Sequence, residues 1–242
     1  IPAILVMGIG PILSWNKVDA LDALKKITPS ILLTILITAI FFFKYKSFSF
    51  FGLVGIVLST WIISNILLTI VQILLKNKKY LKFFQTKIPS QSTSMIIAHL
   101  GVGLLILGIT GSSVWQEEHI LRMKINSEIT IKNHTIFFDK IEKTKGPNYL
   151  SLKGNFIIYN NKKEIITVLN PENRFYIITK NWTNEVSIHT NLIRDLYLVL
   201  GEGDIKKGWI VRIYYNPLVI WIWIGALLIF LGGLISLKNN LK

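Results

Sequence analysis

Long apolar runs separated by short polar segments make up most of the N-terminal half of the chain and its C-terminal end. Three of them, 48–75, 95–115 and 218–237, are long enough as helices to cross ~30 Å of hydrocarbon. The shorter run 27–43 is expected to be a further span. The segment 1–13 is expected to be the end of another, because the chain begins without Met and inside an apolar run. The pattern predicts a helical transmembrane bundle, and we expect the chain to be the C-terminal part of something larger.

The segment 116–216 has a different pattern, in which short runs of β-branched and aromatic residues alternate with polar ones. Turn signals such as 146–148 and 201–204 separate these runs, a pattern typical of an antiparallel sandwich or barrel. Strands are expected around 129–137 and at 156–159, 165–169, 175–178, 186–188, 196–200 and 210–214. The sequence therefore predicts transmembrane helices in 1–115, a small all-β extramembrane domain in 116–216, and a final helix with a basic tail in 217–242.

The formal net charge of +14 is unevenly distributed. Ten Lys and two Asp lie in 15–30, 76–94 and 238–242, which share one side of the membrane if every apolar run spans it. An excess of Lys on short loops marks the cytoplasmic or matrix side. The segment 116–216, with fifteen basic and eleven acidic residues, then lies on the outer side. The positive charge is therefore interpreted as a topology signal, and no nucleic-acid partner is expected.

Several classes of site are excluded by the residues present. The chain has no Cys, so it holds no disulfide, no thiolate metal site and no Cys nucleophile. It also has no P-loop, GxSxG or HExxH motif. A transporter or channel is disfavoured, because Asn65, Gln72 and a few hydroxyl groups are too few polar residues to form a path.

His99 is the single ionisable residue of the apolar stretch 95–114. Such a residue in a membrane helix is costly and usually marks an ion path, a proton relay or a cofactor ligand, and His is a common axial ligand of haem iron. Glycines make this helix narrow, so that either a neighbouring helix or a flat macrocycle could approach it. They are Gly101, Gly103, Gly108 and Gly111. From the residues alone, a ligand role and a hydrogen bond within a packed bundle are about equally favoured.

The other three histidines, His119, His134 and His189, all lie in 116–216. Their separations do not fit a metal site, and each is interpreted as a structural or solvated residue. A haem with two protein ligands would therefore need its second ligand from outside this chain.

A series of motifs, in order along nearly the whole chain, is similar to the C-terminal half of the CcmF family, the haem lyase component of cytochrome c maturation. They are 8–15, 99–115, 146–149, 171–176, 194–197 with Gly201 and Glu202, 209–217, 221–226, and Gly232 with Gly233. The resemblance implies a protein that receives haem from a chaperone and joins its vinyl groups to the two Cys thiols of a CxxCH motif in apocytochrome c. It also implies a haem b held by two transmembrane histidines. His99 corresponds to the second of them, because residues 98–101 resemble the sequence around that histidine in the family. The first would lie upstream of Ile1.

The family's tryptophan-rich haem-handling segment and its two outer-face histidines are absent from this chain. It is therefore not expected to be active alone and is expected to work with an upstream portion or subunit of the same lyase. The resemblance implies a bacterial plasma membrane or a mitochondrial inner membrane, with the β domain on the periplasmic or intermembrane-space side. The alternative left open is a non-catalytic membrane scaffold that assembles partner proteins.

Five polar residues of the β domain are candidates for a functional role on the outer face. They are Arg174, Tyr176, Arg194, Asp195 and Arg212. The favoured interpretation is that they form salt bridges and packing contacts within the domain.

Overall fold

In the computed structural model the chain divides into two compact units. One contains 1–115 and 218–242, and the other contains 116–217. The structure describes residues 1–9, 20–44, 49–76 and 90–240. The last part of the expected segment 1–13 and most of the basic segment 76–94 lie outside these residues.

The first unit is helical over its described residues. Its helices are α1 (Pro2–Ile9), α2 (Ala20–Lys44), α3 (Phe50–Lys76), α4 (Ser90–Val114) and α5 (Val219–Asn240). All but α1 are long and apolar enough to cross a membrane, and a helix suits that environment because it satisfies its own backbone hydrogen bonds. α2 begins at Ala20, ahead of the expected start at 27, so Lys25 and Lys26 belong to its first turns and not to a loop.

Helices α4 and α5 approach each other through glycines. A methyl group on Gly101 would lie 2.6 Å from the carbonyl oxygen of Gly225, and one on Gly225 would lie 2.6 Å from that of Gly101. Further along, a methyl group on Gly232 would lie 2.8 Å from the carbonyl oxygen of Ser94. The absent side chains therefore allow the two backbones to touch, which is a common basis of helix association in lipid.

Helix α3 packs on the other side of α4 and also contacts α1. The Ser59 hydroxyl donates to the carbonyl of Gly103 at 2.9 Å, and the Trp61 indole donates to the carbonyl of Leu5 at 3.1 Å. Trp61 is buried in an apolar cluster with Ile62 of α3, Ile96 of α4 and others. Two hydrogen bonds across helix interfaces thus supplement the apolar packing of this unit.

The second unit is a sandwich of two antiparallel sheets. One sheet has the strand order β1-β10-β9-β8, and the other has the order β2-β3-β4-β6-β7 with β5 also paired to β4. The strands are β1 (Glu117–Met123), β2 (Ser127–Ile131), β3 (His134–Lys145), β4 (Tyr149–Asn160), β5 (Ile165–Leu169), β6 (Glu172–Tyr176), β7 (Asn181–Glu185), β8 (Ser187–Thr190), β9 (Arg194–Asp204) and β10 (Gly208–Pro217).

The core of the sandwich consists of the inward-facing residues of both sheets. Phe138 and Phe156 stack with ring centroids 4.3 Å apart, and Trp209 of the opposite sheet packs edge-on against Phe138 at 5.9 Å. Leu196, Leu198 and eight other apolar side chains complete this buried cluster. Each fully buried apolar side chain of this size contributes roughly 1.5–3 kcal/mol, so the inward row of each strand determines its register.

The strand predictions differ from the structure at several places, and β3 and β4 are longer than expected. The turn expected at 201–204 is wrong, because β9 continues to Asp204 and the turn follows it. Gly203 lies within the strand, and a side chain there would meet the Cα of Trp209. The positive φ, 82°, occurs at Gly208, where β10 begins. The strand expected at 175–178 ends at Tyr176. β1 and β7 were not among the expected strands. Asn and Thr hold most exposed positions of β7, and charged residues flank the short apolar pair of β1.

The glycine contacts between α4 and α5 lead to a test within a single helix. Gly225→Ala places a methyl group against backbone atoms of α4 that cannot move aside, so we expect the helical unit to lose about 1–3 kcal/mol. The matched control is Gly233→Ala, also in α5, where nothing lies within 4 Å. That change should be neutral or stabilising by up to about 1 kcal/mol. Unfolding in sodium dodecyl sulfate, followed by circular dichroism, measures both, and equal stabilities would contradict the packing described.

Candidate functional site

His99 lies on α4 with one ring nitrogen already engaged. Its Nδ1 is 2.9 Å from the carbonyl oxygen of Met95, one turn earlier on the same helix. Because a carbonyl can only accept, Nδ1 carries the hydrogen, and Nε2 of the neutral ring keeps a free lone pair. Nε2 makes no hydrogen bond to any residue that the structure describes. A backbone carbonyl that fixes one ring nitrogen is the usual support of a metal-binding His.

The surroundings of His99 on α4 are apolar. Val102, Met95 and Ile106 lie three, four and seven residues from His99, respectively, and therefore share its side of the helix. All three are partly buried and pack against the cluster around Trp61. An apolar, partly buried environment suits the flat face of a macrocycle better than it suits a charged ligand.

The glycines of α4 are occupied by neighbouring helices. Gly101, Gly108 and Gly111 face α5, and Gly103 faces Ile63 of α3. Of the two uses expected for this narrow helix, the structure therefore shows close helix packing at the glycines. A group bound at His99 would meet the side of α4 that also carries Gly103, and not the side packed against α5.

Buried polar atoms occur on α3 at about the height of His99. Ser59 contacts Gly103, and the two helices run antiparallel, so His99 is level with about Ile63. Next to this position, Ser64 Oγ and Asn65 Oδ1 are buried with no hydrogen-bond partner among the described residues. The hydrogen-bonding capacity of this layer of the bundle is therefore not fully used.

Arg174 is held in an ion-pair cluster on the β domain. Its Nε donates to Glu172 at 2.8 Å, its Nη1 lies 3.9 Å from Glu185, and its guanidinium group lies 4.5 Å from the ring centre of Tyr149. Tyr149 and Tyr176 pack with centroids 5.6 Å apart. The hydrogen bond with Glu172 raises the pKa of Arg174. These contacts connect β4, β6 and β7, so Arg174 and Tyr176 have a structural role here.

Arg194 is buried, with 2% of its surface exposed. Its Nη2 donates to Nε2 of His134 on the opposite sheet. No carboxylate lies within ion-pairing distance in the β domain, all of whose residues are described. Burial, then the charge of Arg194, then that of His189 lower the pKa of His134 to about 4. His134 therefore stays neutral and serves as the acceptor for a buried cation.

This pair lies at the end of the sandwich where the chain enters and leaves it. Glu117 pairs with Tyr215 there, and Tyr215 packs against both His134 and Arg194. Buried polar atoms without partners collect at this end. They are His134 Nδ1, Arg194 Nη1, Asp195 Oδ1 and Asn216 Oδ1. Burial also raises the pKa of Asp195. The sequence contained no signal for this cluster, because His134 and Arg194 are sixty positions apart.

Arg212 differs from the other two candidate arginines because it is exposed and lines an open cavity. The cavity has a volume of about 440 Å³ and lies on the outer face of β9 and β10. Tyr197 and Tyr214 line it as well, with ring centroids 5.4 Å apart in an edge-on arrangement. The structure thus brings Arg194 and Asp195 to one end of the sandwich and leaves Arg174 and Arg212 in separate places.

Comparisons with known proteins give a consistent result. Residues 114–217 match the family model described as the CcmF C-terminal beta-sandwich. The cytochrome c-type biogenesis protein CcmF of Haemophilus influenzae is 29% identical over 241 residues, which cover 99% of this chain and 37% of that protein. CcmF of Pseudomonas fluorescens is 30% identical over 235 residues, which cover 96% of this chain and 35% of that protein.

A solved structure described as cytochrome c heme lyase CcmF has the same fold, with a TM-score of 0.68 at 17% identity. The match covers 96% of this chain and 37% of that one. The chain therefore spans about a third of the length of these relatives. Together with the four apolar helices, the comparisons show a multi-pass membrane protein with a β-sandwich domain, as the sequence predicted.

The low pKa of His134 makes the stability of the β domain dependent on pH. The folded state holds this pKa at about 4 against 6.5 in the unfolded chain, so the unfolded chain binds more protons between these values. Stability is therefore full above pH 6.5 and falls as the pH drops toward 4. We expect hydrogen-exchange protection of core amides such as Phe156, corrected for intrinsic rates, to fall by roughly one to two orders of magnitude. His134→Gln keeps an acceptor but does not titrate, so the fall in protection between pH 6.5 and 4 should be clearly smaller in this variant. An unaltered pH dependence would contradict the assignment.

Proposed function

Because the chain belongs to the CcmF family of cytochrome c-type biogenesis proteins, we propose that it forms the C-terminal portion of a membrane haem lyase. In this role it contributes to covalent attachment of haem to apocytochrome c, and His99 provides one axial ligand of a haem b in the membrane. The proposal rests on family membership for the reaction. It rests on the geometry of His99 for the ligand.

The observation that supports the ligand role is the hydrogen bond between Nδ1 of His99 and the Met95 carbonyl. This bond fixes the tautomer, limits rotation of the ring and increases the basicity of Nε2. The imidazole ring lies on an apolar side of α4, which suits the apolar faces of a macrocycle. The residues present thus fit one half of a bis-histidine site.

The second axial ligand has to come from outside this chain. The other three histidines lie in 116–217, and none lies in a candidate span. An upstream portion or subunit of the same lyase would provide it, together with the residues that handle the incoming haem. A chaperone that delivers haem and an apocytochrome c acceptor complete the proposed partners.

Haem b supplies one-electron redox chemistry when it is bound. His99 would hold the iron, and the burial of the ring together with the Met95 hydrogen bond would tune the reduction potential. The covalent step adds the S–H of a cysteine across a vinyl group of the incoming haem, so sulfur bonds to one vinyl carbon and the proton goes to the other. Nothing leaves, and positioning of the thiol is the main contribution required of the protein.

The β domain is proposed to lie on the periplasmic or intermembrane-space side, where the thiol and the haem meet. The distribution of Lys supports this orientation, because the basic segments flank the opposite ends of the spans. The membrane is a bacterial plasma membrane or a mitochondrial inner membrane.

The ligand role is tested by replacing His99 with Gly in the assembled complex, including the upstream portion. We expect the haem b absorption band per complex to fall at least about tenfold, since loss of even a supporting residue costs this much. Added imidazole should restore part of the band, because it fills the space left by the side chain and offers the same nitrogen.

His189→Gln is the matched control, since it removes a histidine of the β domain and should leave the band unchanged. An unchanged haem b band in His99→Gly would contradict the ligand role. If that complex also assembled and matured cytochrome normally, the chain would be a scaffold instead.

A further inference from the structure

A second cavity of the β domain lies at the end of the sandwich opposite to the one where the chain enters and leaves. It has a volume of about 550 Å³ and is lined mainly by apolar surface. Ile141 and Leu152 line it from one sheet and Trp209 from the other, with Ile125 between them. Small-molecule sites have volumes of ~300–1,000 Å³ and are mostly apolar with a few polar groups. This cavity matches that description in both respects.

Trp209 provides an unused hydrogen-bond donor at this cavity. The residue is 5% exposed, and its indole N–H is buried without an acceptor in the β domain. An unsatisfied buried donor costs roughly 1–3 kcal/mol. Most buried indoles have a partner, so a residue that lines this cavity carries a hydrogen-bond donor that is still unused.

The rim of the cavity carries two cations without a partner. Lys143 and Lys206 line it, and neither has a carboxylate within ion-pairing distance in the fully described β domain. Asp204 also lies on the rim, but one of its carboxylate oxygens accepts from the backbone N–H of Lys207 at 2.6 Å and so closes the turn. Ile205 of the same turn is 82% exposed. The rim therefore favours an anionic group above an apolar interior.

We propose that this cavity binds an amphipathic organic anion, with an apolar body between the two sheets and a carboxylate at Lys143 and Lys206. An acceptor atom of the ligand takes the Trp209 N–H after a small adjustment of the indole. The apolar lining disfavours water as the occupant, since a buried water needs two to four polar partners. The proposal is independent of the role of His99 and of haem attachment.

The test uses the full chain in lipid nanodiscs, labelled with ¹⁵N-tryptophan, and 4-phenylbutyrate as the probe. The Trp209 indole resonance is identified by its through-space contact with the ring of Phe138. We expect a saturable downfield shift of this resonance, because a hydrogen bond to an acceptor deshields the proton. The neutral amide of the same acid should bind about threefold to fivefold more weakly, as expected for the loss of an exposed ion pair.

The double variant Lys143→Gln with Lys206→Gln should weaken binding of the acid by a similar factor and leave binding of the amide unchanged. Lys162→Gln, in an exposed turn away from the cavity, is the matched control and should have no effect. The proposal is overturned if the Trp209 shift does not saturate, or if Trp182 and the membrane tryptophans shift in parallel. Equal affinities for the acid and the amide would overturn it as well.

Discussion

The helical unit depends on the direct contact of the α4 and α5 backbones. Lipid tails are as apolar as leucine side chains, so helices in a membrane gain little from hydrophobic burial and need close packing instead. Glycines on both helices provide it, since Gly101 and Gly225 leave room for each other's carbonyl groups. On its other side α4 is fixed to α3 by the Ser59 hydrogen bond to Gly103. His99 therefore lies on a helix that is held from two sides, which limits movement of any group it binds.

The two units solve the burial of polar groups in different ways. In the helical unit the polar side chains are mostly neutral and bond to carbonyls of their own helix, as His99 does with Met95. The β domain buries a cation, Arg194, and satisfies it partly through His134, whose low pKa keeps a second positive charge away. This arrangement stabilises the domain at neutral pH and makes it sensitive to acid. The orphaned atoms around the pair give this end of the sandwich the highest concentration of unused hydrogen-bonding groups in the domain.

The proposed role of this chain, relative to the rest of the lyase, follows from the residues that it contains. It carries one histidine in a candidate membrane span, with a hydrogen-bonded ring and apolar surroundings, and its β domain carries cavities at different places. A site with one ligand is incomplete, so the proposed chemistry would require a further portion of the lyase. In the proposed site the contribution of this chain would be geometric, because it would hold and orient one nitrogen, while the covalent chemistry would depend on groups brought by the partners.

The sequence by itself determined the membrane character, the β domain and the position of His99 as the single ionisable residue of the apolar stretch 95–114. Length and apolarity are sufficient to identify spans, since only a helix can satisfy its backbone across that distance in lipid, and alternation identifies strands once one face is buried. Strands with polar exposed faces, such as β7, were missed because half of their pattern carries no apolar signal. Only the tertiary structure decided that the α4 glycines serve helix packing, that Nδ1 of His99 is engaged and that His134 meets Arg194. These facts depend on contacts between residues distant in the chain or on the orientation of a side chain, and neither leaves a local pattern in the sequence.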